Sequence, residues 1–172
     1  KYAKFEDDGA VQSLAARSTR RDFLSREPLP DFDFAIMNPP YARATPREGY
    51  QTASSRDLFA YFVERVATMA QGFIAVTPAA YLSSPKYAPV RKVLNERTKG
   101  GAVFVFDNVP DTLFRGFKHG SPNTSRTNFV RAAITVCAPG ARRWRITPIL
   151  RWQTAQRQSM FEHAPRLLGP RR

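Results

Sequence analysis

Cysteine is almost missing from this sequence. The single one, Cys137, excludes an internal disulfide and any multi-cysteine metal site. Histidine is nearly as scarce. His119 and His163 are the pair, and both read as solvated surface residues, so no metal site is expected. No apolar run approaches the length of a membrane span, and the first residues lack a signal-peptide pattern. A soluble, intracellular protein is the expectation. Neither a GxGxxG loop nor a Walker-type phosphate loop occurs, and no internal repeat is visible. Acidic residues are also in short supply. Lys and Arg outnumber Asp and Glu by 27 to 14, a net charge of +13. That excess favours a polyanionic partner such as nucleic acid.

What is present suffices for one folded domain. The chain has 172 residues, of which 42% are hydrophobic. Its organising stretch runs from Phe32 to Tyr41, an apolar segment that stops at Asn38-Pro39-Pro40-Tyr41. A short apolar run bounded by turn signals fits a buried, central parallel strand. Each proline fixes φ and lacks an N–H, so Pro39 and Pro40 end the ladder. Asn38 is then held at the C-terminal lip of a strand, with Tyr41 just outside it. In open α/β sheets that lip is where ligands bind.

The rest of the chain alternates strand and helix. A short helix over Gly9–Arg17 comes first, then Asp22-Phe23-Leu24 as a strand end before Pro28 and Pro30. Ala42–Ser55 is aperiodic and long enough to be a functional loop. Ser54-x-x-Asp57 has capping-box spacing, and Leu58, Phe59, Phe62, Val63, Val66 and Met69 follow at helical spacing. The prediction is a helix over Arg56–Ala70, stopped near Gly72, with Phe59 on its apolar face. Gly72–Thr77 is a second strand, so a right-handed βαβ unit results. A loop at Ala79–Lys86 leads to a helix at Ala88–Arg97. Strands follow at Ala102–Phe106 and Asn128–Ala138, separated by a long loop, Val109–Thr127. Trp144–Leu150 is a further strand, read as an antiparallel edge. Arg151–Phe161 reads as helical, and the end of the chain as a basic tail. The fold class is α/β: a partial doubly wound sheet, mostly parallel, with an antiparallel strand near the end.

The lip residues suit one kind of chemistry. The Asn38 side-chain carbonyl and the Pro39 main-chain carbonyl are two acceptors near one point. Converging on an –NH₂ group, they bind both hydrogens and draw the nitrogen lone pair out of conjugation. A planar amine becomes a better nucleophile. Tyr41 offers a flat face on which a base can stack, worth about 1–3 kcal/mol. Asp22 reads equally well as a turn carboxylate, and Asp57 reads first as a helix cap. Arg43, Arg47, Arg115, Lys118 and Arg126 lie on loops near strand ends and are candidates for phosphate contact.

Asn38-Pro39-Pro40-Tyr41 resembles motif IV of the N6-adenine DNA methyltransferases. Asp22-Phe23-Leu24 resembles their motif III, and Asp57-Leu58-Phe59 their motif V. Gly72–Pro78 resembles motif VI, and Phe106–Phe114 with the loop after it resembles the motif VIII region. Ile146–Trp152 resembles a segment of the large type IIG and phage-defence methylases. The likeness implies a class I methyltransferase sheet of Rossmann-like type. It implies S-adenosylmethionine as methyl donor, bordered by Asp22, Phe23, Asp57 and Phe59. It implies DNA as substrate, with Phe114 as an aromatic wall of the base pocket and Arg43, Arg115 and Lys118 on the substrate side. A prokaryotic or phage-encoded cytoplasmic enzyme is implied.

The Gly-rich motif I of that family is absent. The expectation is therefore the later part of a catalytic domain, at residues 22–155. Residues 1–21 would be a linker or remnant of a preceding half, and 156–172 a basic tail. A missing N-terminal half or a specificity subunit would be a partner. Two alternatives share the residues: methyl transfer to ribosomal RNA guanine or to protein glutamine, and an inactive DNA-binding or interaction piece.

Overall fold

The structure is a computed structural model that describes residues 21–25, 27–107 and 131–151. The expected helix at Gly9–Arg17, the loop bearing Phe114, Arg115, Lys118 and Arg126, and the segment after Arg151 lie outside the described residues.

Among the described residues five strands form one sheet: β1 (Phe34–Met37), β2 (Gly72–Pro78), β3 (Gly101–Phe106), β4 (Ala132–Cys137) and β5 (Trp144–Leu150). Their spatial order is β1-β2-β4-β3-β5. β1 pairs parallel with β2, and β3 parallel with β5, whereas β4 is antiparallel to both β2 and β3. Four strands therefore point one way and β4 alone is reversed. The mostly parallel α/β sheet with one reversed strand is as expected, but the strand at 144–150 is not that reversed strand. β5 is an edge strand and runs parallel to β3.

β5 carries a bulge between Val103 and Val105 on its partner. Pro148 lies in it and has no N–H for the ladder, and such a residue is tolerated only at an edge or a bulge. The hydroxyl of Thr147 accepts the hydrogen bond from the Val105 N–H at 3.1 Å in place of a carbonyl.

Among the described residues two helices cover one face. α1 (Leu58–Met69) and α2 (Ala88–Arg97) turn Phe59, Val63, Val66, Val90, Val93 and Leu94 toward Phe73, Ala75, Val103, Val105, Ala133 and Cys137. Each Val, Leu or Phe among them gains about 1.5–3 kcal/mol from full burial. α1 starts later than the spacing predicts. Arg56 adopts a left-handed conformation (φ +48°) that ends a 3-10 turn at Gln51–Ser55, so the helix cannot run through it. The helix also ends before Gly72, which is the first residue of β2. Gly72 is needed for packing: a Cβ there would lie 2.8 Å from the Cys137 carbonyl oxygen and 2.9 Å from the Phe34 ring.

β1 is not the buried central strand that its composition suggests. Among the described residues it pairs only with β2, and nothing covers its second face. Phe34 is 63% exposed and Ile36 84%. Ile74 and Phe104 stand partly exposed on the same face of the sheet.

The two faces predict opposite mutational responses. Phe73→Ala should cost about 3–5 kcal/mol by cavity formation, whereas Ile36→Ser should stay within about 0.5 kcal/mol. Urea unfolding of both variants checks this, and a large loss for Ile36→Ser would show that this face is covered.

Candidate active site

Asn38 follows the last residue of β1 directly and is exposed at the C-terminal end of the sheet. Pro39 is buried and Pro40 exposed. Tyr41 is half-buried rather than free-standing. Its ring meets Phe59 edge-on, with centroids 6.5 Å apart and planes at 80°. Burial pushes its phenol pKa up to about 12, so the hydroxyl is neutral under physiological conditions.

Beyond Tyr41 the chain is stitched to the start of α1. Arg43 and Asp57 form an isolated antiparallel bridge. The Leu58 N–H donates to the Ala42 carbonyl at 2.9 Å, and the Ala44 N–H to the Arg56 carbonyl at 3.1 Å. The Asn-Pro-Pro-Tyr corner and the Asp57-Leu58-Phe59 corner are thus one structural unit.

Asp57 sits at the N-terminal flank of α1 but makes no side-chain cap bond. The capping-box expectation is corrected: Oδ2 accepts from the Tyr87 hydroxyl at 2.8 Å and from Lys86 Nζ at 3.2 Å. Both donors lie on the segment leading into α2, so the carboxylate joins two parts of the chain. The Tyr87 pKa is raised, first by burial and then by its hydrogen bond to Asp57. Phe59 is fully buried in the core. It backs the site and has no surface to offer a cofactor, because the ring packs against Tyr41 and Tyr87.

Asp22 and Phe23 form a second group. Asp22 Oδ1 accepts from the Leu24 N–H at 3.0 Å, and Oδ2 stands 3.9 Å from Arg47 Nη1. This is the turn carboxylate of the plainer reading, although its side chain remains 62% exposed. Phe23 stacks on Phe62 at 5.3 Å and carries the Arg65 guanidinium 5.6 Å above its ring. Arg65 donates to the carbonyls of Ser25 and Glu27. Arg47 and Tyr50 both donate to the Leu24 carbonyl. Arg47, a candidate for phosphate contact, is therefore engaged in fixing this turn, while Arg43 is exposed.

The loop between the two groups is held from inside. Glu64, on α1 and buried, accepts the N–H groups of Gln51 and Thr52 at 2.9 and 2.8 Å and the Thr52 hydroxyl at 2.7 Å. Tyr61 donates to the Thr45 and Ala53 carbonyls at 3.1 and 3.3 Å. The sequence reading missed Glu64, Tyr61 and Tyr87. Each sits on or beside an apolar helical face, which is the only signal that would have marked them.

The family model of the Eco57I restriction-modification methylases matches residues 7–108. The chain belongs to that family. The match spans both corners described above and the helix α1 that follows them. No curated protein matches significantly. Similar solved structures include two of low identity. One is a nuclease-deletion mutant of the Type ISP restriction-modification enzyme LlaGI with a DNA substrate mimic. It is 14% identical, with a TM-score of 0.44, over 67% of this chain and 12% of that one. The other is a DrdV–DNA complex, 13% identical, with a TM-score of 0.47, over 76% of this chain and 16% of that one. This chain thus spans a small part of either. Among the described residues no helix is long and apolar enough to cross a membrane, and no cluster of His, Cys, Asp and Glu could hold a metal.

Two outcomes test this geometry. Glu64→Ala deprives the buried Thr52 N–H and hydroxyl and the part-buried Gln51 N–H of their acceptor and should cost about 2–4 kcal/mol. Amide exchange at Gln51 and Thr52 should accelerate more than in the core of β2; equal protection in both proteins would show that the carboxylate does not hold the loop. The second concerns alkali. Tyr41 and Tyr81 are pushed up to about 12, chiefly by burial, against about 10 in the unfolded chain. The stability linked to these neutral phenols is full below about pH 10 and is lost as pH rises toward about 12. Denaturant unfolding at pH 8, 10 and 11 should show that decline, and it should be shallower in Tyr41→Phe.

Proposed function

We propose that this chain carries the base-activating part of a DNA methyltransferase acting on the N6 amine of adenine. The observation that carries the reading is the placement of Asn38-Pro39-Pro40-Tyr41 at the C-terminal end of a parallel strand, tied by backbone hydrogen bonds to the Asp57-Leu58-Phe59 corner. Membership of the restriction-modification methylase family supports it.

In this reading the target adenine leaves the duplex stack. The Asn38 side-chain carbonyl and the Pro39 carbonyl accept its two N6 hydrogens and hold the lone pair toward the methyl donor. Tyr41, wedged against Phe59, presents the rest of its ring to the base. A proton leaves the nitrogen after attack, when it is cationic, so no general base is needed beforehand. Bound S-adenosylmethionine would supply the methyl group and depart as the neutral thioether. Of the residues the family resemblance assigns to the cofactor, Asp22 fits best, with a largely exposed carboxylate. Asp57 has an engaged carboxylate, and Phe59 does not fit. Residues 22–155 would make up the catalytic portion.

A second reading is that these 172 residues by themselves serve as an interaction piece. The exposure of Phe34 and Ile36 beside a strand edge that no other described residue pairs favours it. The readings separate by experiment. In the polypeptide that carries this sequence, Asn38→Ala should lower methyl transfer to duplex DNA by about 100-fold or more, with DNA affinity retained. N6-methyladenine should be the product by mass spectrometry. Unchanged transfer, or a methylated guanine or glutamine instead, would overturn the adenine assignment. Micromolar binding of S-adenosylmethionine by the 172 residues alone would count against the second reading.

A further inference from the structure

We propose that Arg131 and Arg151 form a paired-guanidinium site for the phosphate backbone of the DNA substrate, pre-set by Asp107. The inference rests on the DNA reading above. Arg131 lies outside the motif-bearing segments that suggested that reading, and Arg151, within Ile146–Trp152, was given no role by it.

Asp107 follows the last residue of β3, and its residue is only 5% exposed. A buried carboxylate needs strong donors to offset its lost hydration. Arg131 Nε donates to Oδ1 at 3.1 Å, and Arg151 Nε donates to Oδ2 at 2.9 Å. The two guanidinium groups thus share one carboxylate. Their side chains nevertheless remain 54% and 71% exposed. Each is anchored through Nε, and among the described residues no hydrogen bond engages its terminal amino groups. Those amino groups are the donors that fit phosphate oxygens in a bidentate manner. Anchoring also removes part of the rotamer entropy that an arginine loses on binding.

The topology places this pair on the working edge of the sheet. Arg131 precedes the reversed strand β4, and its carbonyl accepts from the Ala79 N–H at the end of β2. Arg151 follows β5, and the Leu150 carbonyl accepts from the Asp107 N–H. Both therefore lie at the same edge as Asn38, which follows β1. With strands about 4.8 Å apart, Arg131 stands about 10 Å along this edge from Asn38, and Arg151 about 19 Å. At 3.4 Å per base-pair step that is about three to six steps from the target base. The phosphates within reach are therefore those of the duplex several nucleotides to one side of the extruded base, not the two that flank it. Arg142, Arg143 and Arg145 lie at the opposite edge, where β5 begins, and serve as an internal control.

The test is the salt dependence of binding to a fluorescein-labelled duplex, read by anisotropy. Each lost phosphate contact lowers the slope of log K against log salt by about 0.9. Arg131→Gln with Arg151→Gln should lower it by about 1–2, while Arg142→Gln with Arg143→Gln should leave it unchanged. Adding Asp107→Asn to the first pair removes the buried charge together with its two arginine partners and should give the same loss, with thermal melting to confirm folding. An unchanged slope in this folded triple variant would overturn the inference and leave the DNA reading standing. An equal fall in the control pair would overturn the assignment to this edge. Failure of the unaltered protein to bind the duplex at low salt would overturn the DNA reading itself.

Discussion

The arrangement of the candidate site depends on one buried carboxylate. Glu64 sits on the face of α1 that turns toward the loop after Tyr41, and burying it alone would cost several kcal/mol. Three donors from Gln51 and Thr52 satisfy it. The consequence is mechanical. Residues 42–55 cannot shift without breaking charge-assisted hydrogen bonds, and α1 is itself fixed by Phe59, Val63 and Val66 in the core. Asn38 thus stands between two fixed points, the β1 ladder before it and the α1-anchored loop after it. A side chain that must place an acceptor within hydrogen-bonding distance of a base needs such a frame.

Local features of the fold were legible in the sequence, and long-range ones were not. The stop of β1 was readable because two prolines act on their own residues. The helix at Ala88–Arg97 and the strand at Trp144–Leu150 have the bounds their patterns predict. Asn38–Tyr41 was visible because it is contiguous. Asp57 was misread as a cap because its true partners, Lys86 and Tyr87, are far away in sequence. The late start of α1 was hidden because a left-handed arginine has no sequence signature. Burial of β1 was overestimated because an apolar strand looks the same at an edge as in the middle. The direction of β5 depends on which neighbour it meets, and no period of two can tell that.

The sheet also sorts polar groups by direction. With four strands parallel, four C-terminal ends share an edge, and the reversed β4 adds its start to the same edge. Asn38, Asp107, Arg131 and Arg151 are brought together in this way from distant parts of the chain. An ion-paired group such as Asp107 with its arginines is invisible to any local motif, whereas the net charge of +13, which favours the proposed polyanionic partner, is read directly from composition.

The proline in β5 has a consequence for assembly. At that edge the missing amide of Pro148 and the Thr147 bulge break the regular row of donors and acceptors. A further strand would find no continuous template there. The opposite edge, β1, is short but uninterrupted, and it is flanked by exposed Phe34 and Ile36. Among the described residues the sheet is therefore closed to growth on one side and open on the other. A segment that extends it would join beside Asn38, and each strand added would also build out the wall of the candidate site.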